Sequence, residues 1–131
     1  MKYLLDTSVF LWSLGAREKL NSKAAALLSS SASQIYFSAA SSWEIAIKHA
    51  LGKIKLPTAP IEFIPQATRE MGFANLDITT AHALAAGDLP PHHRDPFDRM
   101  LISQARAEEM ALLTADRTLQ QYDVEILLCA K

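Results

Sequence analysis

The sequence predicts an α/β fold: an α/β/α sandwich whose central parallel sheet is covered by helices on both faces. Two observations predict it. Segments of strand character alternate with segments of helical character along the whole chain. The strand segments are short and almost entirely apolar, as strands buried on both faces must be. A length of 131 residues suits one domain with a core of its own. No long linker, repeat or low-complexity tract interrupts the pattern, so residues 1–131 are expected to form a single domain.

Lys2 to Leu5 is the first strand, ending in Asp6-Thr7-Ser8. The apolar run Val9 to Leu14 predicts a first short helix, ended by Gly15. Asn21 or Ser22 can cap a second helix over Lys23 to Ser30. Gln34 to Ser38 is a strand by its aromatic and β-branched content. Ser41-Ser42-Trp43-Glu44 opens a third helix, with its buried stripe expected at Trp43, Ile47 and Ala50-Leu51 and its stop at Gly52. The proline-bounded connection Lys53 to Pro60 leads to a helix over Ile61 to Met71. Phe73 to Leu76 is a short strand. Thr79 caps a helix that runs to Ala86 and closes at Gly87, and Asp88 to His93 is a loop. In the next helix Asp95 is the N-cap and Pro96 takes the first helical position, where its missing N–H costs nothing. Phe97, Met100, Leu101, Ile102 and Ala105 then form a broad apolar face. Ala111 to Thr114 is a strand, Asp116 caps a short helix through Tyr122, and Glu125 to Leu128 is the last strand.

Half of the residues are hydrophobic and 21% are charged, an ordinary balance for a globular protein. The apolar runs are too short to span a bilayer. Met1 to Leu5 is followed at once by Asp6, too soon for a secretory leader. With Cys129 as the single cysteine, no internal disulfide is possible, and a reducing cytoplasm is the expected location. Cys129 itself reads as an inert residue. The net charge of −1 does not advertise nucleic-acid binding. Setting four acids aside as metal ligands leaves 13 basic against 10 acidic residues, which is compatible with RNA as a partner.

Those four acids are Asp6, Glu44, Asp98 and Asp116. In a doubly wound sheet, ligands bind outside the carboxyl ends of the strands. Asp6 ends the first strand, Glu44 and Asp98 lie in the first turns of helices, and Asp116 follows the strand ending at Thr114. All four are thereby assigned to one edge of the sheet. Each also has an ordinary structural role. Glu44 stands three residues after Ser41, as in a capping box. Asp116 is a usual N-cap, Asp6 could hold an Asx turn, and Asp98 complements a helix dipole. Ser, Thr or Asn would cap as well without gathering negative charge, so the choice of acids argues for a cation between them. Oxygen ligands of this kind suit Mg²⁺ or Mn²⁺, and no Cys or His spacing suggests zinc. Such a site activates water and stabilises displacement at a phosphodiester.

Asp6-Thr7, Glu44, the segment Asp95-Pro96-Phe97-Asp98-Arg99 and Thr114-Ala115-Asp116 resemble the acidic motifs of the PIN domain, and most closely those of the VapC toxins of bacterial toxin–antitoxin pairs. The resemblance runs over essentially the whole chain. It implies a PIN-like sandwich, Mg²⁺- or Mn²⁺-dependent cleavage of RNA, a homodimer, and inhibition by a cognate VapB-type antitoxin. Asp6, Glu44, Asp98 and Asp116 would be the metal-binding and catalytic quartet, with Thr7 and Thr114 as auxiliary polar groups. Ser8 departs from the larger polar residue, often Asn, that many relatives carry there. No acidic position is lost.

Other residues have two readings each. Asp95 is an N-cap that could also support Asp98 one turn on. Arg99 and Arg117 each follow a site acid, and could grip an RNA phosphate or form intramolecular ion pairs. Lys48, Lys53 and Lys55 could track an RNA backbone or simply be solvated. His92 and His93 could contact RNA or assist proton transfer, although loop pairs of this kind are commonly just exposed. His49 and His82 have no catalytic context. Trp12 and Trp43 read as core or interface anchors, and Met71, Met100 and Met110 as core. Two rivals find less support in the residues: an aspartate-nucleophile phosphatase wants a second Asp where Ser8 stands, and a phospho-acceptor receiver wants a paired acid and a late Lys. A third, an RNA-binding module that blocks translation without cutting, is separated only by an activity assay.

Overall fold

A computed structural model describes residues 1–131. Five parallel strands run β1 (Lys2–Leu5), β2 (Gln34–Ser38), β3 (Ala74–Leu76), β4 (Ala111–Thr114) and β5 (Ile126–Leu128). Their order across the sheet is β3-β2-β1-β4-β5. Leu5 pairs with Phe37 on one side and Leu113 on the other. The helices are α1 (Thr7–Gly15), α2 (Ser22–Ser29), α3 (Ala39–Ala50), α4 (Pro60–Met71), α5 (Thr80–Gly87) and α6 (Pro96–Ala107), with short 3₁₀ turns at Arg17–Lys19 and Arg117–Gln121. No helix is long and apolar enough to cross a membrane.

Side chains alternate across a strand, so each central strand supplies both faces. Leu5, Ile35, Phe37 and Leu113 pack with Val9, Phe10, Ala24, Ile45, Ile64 and Ala67 from α1 to α4. Leu4, Leu112 and the partly buried Tyr36 pack on the other face with Leu101, Ile102 and Ala105 of α6 and with Leu89. The predicted sandwich is therefore present, with the strand and helix limits within about two residues of those expected.

Three local expectations are corrected. Helix α3 starts at Ala39, with Ser38 as N-cap accepting from the Ala40 N–H at 3.0 Å. The strand turns into the helix without a loop, so Glu44 lies in the second turn and the Ser41–Glu44 capping box does not form. The buried stripe of α3 is Ala40, Ser41, Glu44 and Ile45, whereas Trp43 and Leu51 are 62% and 65% exposed. The third is α1, which begins at Thr7 because Asp6 itself is the N-cap, its Oδ1 accepting from the Val9 N–H at 2.7 Å.

Two contacts set the helices that carry acids. Gln104 is fully buried in α6, where its Oε1 accepts from the Ser38 hydroxyl and its Nε2 donates to the Asp77 carbonyl. It locks α6 to the start of α3. His82 completes the cap of α5, its Nδ1 accepting from the Thr79 N–H while Nε2 meets Glu108 of α6 at 2.9 Å. That is a structural use, consistent with its lack of catalytic context. Cys129 is buried with its thiol on the Leu127 carbonyl, and burial pushes its pKa up to about 12, so it is inert at neutral pH.

Candidate active site

The chain leaves β1 toward β2 and β3 on one side, then returns to place β4 and β5 on the other. Connections diverge at the β1–β4 boundary, and a crevice opens beyond the carboxyl ends of those two strands. A cleft of about 450 Å³ lies there, lined by Asp6, Thr7, Ser8, Glu44, Lys48, Asp95, Asp98, Ala115 and Asp116. All four predicted acids are in it.

Each acid is held by the element that presents it. Asp6 uses Oδ1 to cap α1 and Oδ2 to accept the Thr114 hydroxyl at 2.6 Å, which joins the ends of β1 and β4. Thr114 Oγ1 in turn accepts from the Asp116 N–H at 3.0 Å. Asp116 caps its 3₁₀ turn with Oδ1, which accepts from the N–H and hydroxyl of Thr118, so that Oδ2 is left facing the cleft. For Asp116, capping and ligation are thus compatible, one oxygen serving each. Asp95 is the N-cap of α6, accepting from the N–H groups of Phe97 and Asp98 at 2.8 and 3.3 Å. Asp98 then sits in the first turn of α6, near its positive end.

Glu44 is buried and has both oxygens engaged. Oε1 accepts the Thr7 hydroxyl at 2.6 Å and Oε2 meets Lys48 Nζ at 2.5 Å. The hydrogen bond to Glu44 raises the Lys48 pKa, which keeps its ammonium charged in the cleft.

Burial pushes the Asp6 carboxyl up to about 6, against the Thr114 and Val9 hydrogen bonds, and the Asp98 and Glu44 charges add to the rise. Burial likewise pushes Asp98 up to about 6, with the Asp95 and Glu44 charges reinforcing it and the His93 hydrogen bond opposing it. Asp116 goes the other way: burial would raise its pKa, but the Thr118 hydrogen bonds and nearby His93 bring it below the usual value. Asp6 and Asp98 thus resist ionisation beside Asp116, which does not, and perturbed carboxyls gathered in one cleft mark it as the candidate functional site.

His93, given as a loop residue in the sequence, stands directly beside the acids. Its Nε2 lies 2.8 Å from Asp98 Oδ2 and 3.8 Å from Asp116 Oδ2. The only signal in the sequence was its place two residues before Asp95, in a loop that proline makes stiff. His92 instead sets its ring edge against Tyr122, with centroids 5.1 Å apart.

Arg99 forms no ion pair and instead takes a role the sequence did not suggest, hydrogen bonding to backbone carbonyls. Its Nη2 donates to the carbonyls of Ala86 and Leu89 at 3.0 and 2.9 Å, and Nη1 to those of Pro90 and His93 at 3.0 and 3.2 Å. The guanidinium fork thus ties down the loop before α6, four carbonyls at once, rather than pairing with an acid. Arg99→Ala is expected to lower stability by about 2 kcal/mol, since several carbonyls lose a charged donor together. Arg99→Lys is expected to recover less than half of that, because one ammonium cannot span the fork's acceptors. Urea unfolding of the three proteins measures both. Arg117 is exposed, and Lys53 and Lys55 are exposed away from the cleft.

The profile of the PIN domain matches residues 3–125. The chain belongs to the PIN domain family. Among proteins similar to it is Ribonuclease VapC16 of Mycobacterium tuberculosis, 41% identical over 56 residues, a match spanning 40% of this chain and 40% of that protein. Similar solved structures include VapBC2 from Rickettsia felis bound to a promoter DNA fragment, with TM-score 0.72, 14% identity and 98% of each chain covered. DNA-bound VapBC from Salmonella typhimurium follows at TM-score 0.67, 17% identity and 97% of each chain. VapBC-1 from nontypeable Haemophilus influenzae has TM-score 0.66, 18% identity and 98% of each chain. At these identities the likeness is one of fold. This PIN domain therefore has the architecture expected of it, with the cleft at the β1–β4 boundary.

Proposed function

We propose that this PIN domain, residues 1–131 as a single domain, is a Mg²⁺- or Mn²⁺-dependent endoribonuclease acting as the toxin of a toxin–antitoxin pair in the cytoplasm. The observation that carries the reading is the convergence of Asp6, Glu44, Asp98 and Asp116 on one cleft, with Asp6 and Asp98 both pushed up to about 6. The name of the Mycobacterium relative and the VapBC structures of like fold point the same way.

The donor set fits a hard divalent cation: carboxylate oxygens, some left free of the protein's own hydrogen bonds. Asp6, Asp98 and Asp116 would hold it, with Glu44 closing the quartet. When bound, such a cation supplies charge neutralisation at the phosphodiester and a more acidic water. The chain's own residues do the rest. Thr114 fixes Asp6 against Asp116, Thr7 fixes Glu44, and Asp95 anchors the turn that presents Asp98. Lys48 and Arg117 are the cations at hand for RNA phosphates, and Lys48 can exchange Glu44 for a phosphate without leaving the cleft.

Trp43, Leu51 and Ile61 are exposed on α3 and α4, an apolar surface that suits a homodimer. A VapB-type antitoxin would hold the toxin inactive. The test is direct. The purified chain is expected to run as a dimer at micromolar concentration by light scattering and to cleave RNA with Mn²⁺, with cleavage stopped by EDTA. RNA retained but uncut under every metal condition would support the non-cleaving RNA-binding module in its place.

A further inference from the structure

The loop that carries His93 is built with more care than an exposed connection needs. Its backbone is gripped from two sides. The His93 N–H donates to Tyr122 Oη at 2.9 Å, and that hydroxyl donates to the Pro90 carbonyl at 2.9 Å. Arg99 holds the carbonyls of Leu89, Pro90 and His93 from the other side. Tyr122 is buried, so this anchor does not swing with solvent. The clamp fixes where the His93 ring goes: against Asp98, with Asp116 next to it.

The Nε2 of His93 and one oxygen each of Asp98 and Asp116 lie within 4.8 Å of one another. Ligands about 2.1 Å from one octahedral ion stand about 3 Å apart when adjacent and about 4.2 Å when opposite. The separations of 2.8 and 3.8 Å from His93 to the two carboxylates lie close to the adjacent spacing, one slightly short of it and one about 0.8 Å beyond, so a small shift of Asp116 would seat all three on one ion. Lys48 offers a contrast. It also meets a site acid, but an ammonium can only neutralise, whereas a neutral imidazole has a lone pair to give.

We propose that His93 is a nitrogen ligand to the divalent cation held by Asp98 and Asp116, and that it biases this site toward transition-metal cations, Mn²⁺ over Mg²⁺. The inference rests on the cation-dependent reading above and adds a donor that reading lacks. Imidazole nitrogen suits first-row transition metals, while Mg²⁺ prefers oxygen and water. When the cation enters, the proton shared between Nε2 and Asp98 is released to solvent, with the neutral ring carrying its proton on Nδ1, so that the Nε2 lone pair and the freed Asp98 oxygen would both face the ion. Tyr122 and Arg99 act as positioning residues for this ligand through the backbone they hold.

The test is pulsed electron paramagnetic resonance on the full chain loaded with Mn²⁺ alone, together with Mn²⁺ and Mg²⁺ titrations of wild type and His93→Gln. The glutamine amide can still donate to Asp98 but offers no imidazole nitrogen, so it separates ligation from mere orientation of the carboxylate. Wild type is expected to show the nitrogen modulation of a coordinated imidazole, and His93→Gln to lack it. Mn²⁺ affinity should fall at least about tenfold in the variant, with Mg²⁺ affinity changing far less. Melting in EDTA checks that the variant folds, and the wild-type spectrum decides the matter even if it does not. Bound Mn²⁺ without nitrogen modulation, or His93→Gln with unchanged Mn²⁺ affinity, overturns the proposal. If wild type shows only the spectrum of free aqueous Mn²⁺, the cation-dependent reading of the cleft fails with it, and that outcome is visibly different.

Discussion

Asp98→Asn is expected to reduce RNA cleavage by on the order of a thousandfold or more while RNA is still bound. The substitution keeps the size of the side chain and leaves a carbonyl oxygen able to accept from His93, which lies 2.8 Å from Asp98. What it removes is the charge that Asp98 contributes opposite Asp116, in a cleft where Asp6 is already reluctant to ionise. Asp6→Asn should have a comparable effect, although it also disturbs the Thr114 hydrogen bond and is the less clean of the two. Asp123→Asn serves as the control, because Asp123 is exposed and outside the cleft. Cleavage rates with Mn²⁺, and RNA binding measured separately, settle the matter. An Asp98→Asn protein that cleaves near the wild-type rate would sink the assignment.

The same substitution should stabilise the metal-free protein at neutral pH. Burial and neighbouring acids raise the Asp98 carboxyl from 3.8 to about 6 in the fold. A raised carboxylate pKa means that the folded state keeps a proton the unfolded state has lost. Stability contributed by the protonated form is thus present below about pH 4 and declines as pH rises through about 6. Above that, ionised Asp98 costs about 3 kcal/mol without metal, at 1.4 kcal/mol per pH unit. Asparagine avoids this and forfeits up to about 1 kcal/mol of helix-dipole stabilisation, a net gain of about 2 kcal/mol. Asp98→Asn in EDTA should melt above wild type at pH 7.5, and the difference should vanish near pH 4. Mn²⁺ at a hundredfold excess over its dissociation constant should add about 2.7 kcal/mol to wild type. For a chain of this size that is a rise on the order of 10 °C, and much less is expected for the variant. If Asp98 were only a first-turn cap, the variant would melt lower in EDTA and manganese would move neither protein.

Much of this molecule was legible before any coordinates. The sheet was readable because strands buried on both faces must be apolar throughout, as Leu4-Leu5 and Ala111 to Leu113 are. Helix α6 was readable in detail because Asp95 and Pro96 are a start signal that acts through local geometry alone. The start of helix α3 is not legible for the same reason in reverse. Ser41 and Glu44 have the spacing of a capping box, but Ser38 at the strand end had already begun the helix. Nothing local distinguishes a serine at the cap from one a turn inside.

By itself the sequence determined the fold class, the four acids and the edge of the sheet they share. Each follows from a short stretch of chain and from the rule that loops at one edge of a parallel sheet converge. Beyond contacts with residues a few positions away, what those acids touch was decided by tertiary structure. Thr114 reaches Asp6 across 108 positions, Thr7 reaches Glu44 across 37, and Tyr122 holds His93 across 29. Arg99 looked like a cation for phosphate until the fold brought four carbonyls within its reach, and His93 looked like a solvated loop residue until Arg99 and Tyr122 fixed its backbone beside Asp98. Hydrogen bonds between distant residues leave no periodicity or propensity in the chain. They exist only where packing has already set two backbones at the right separation, and so they are read from the folded molecule.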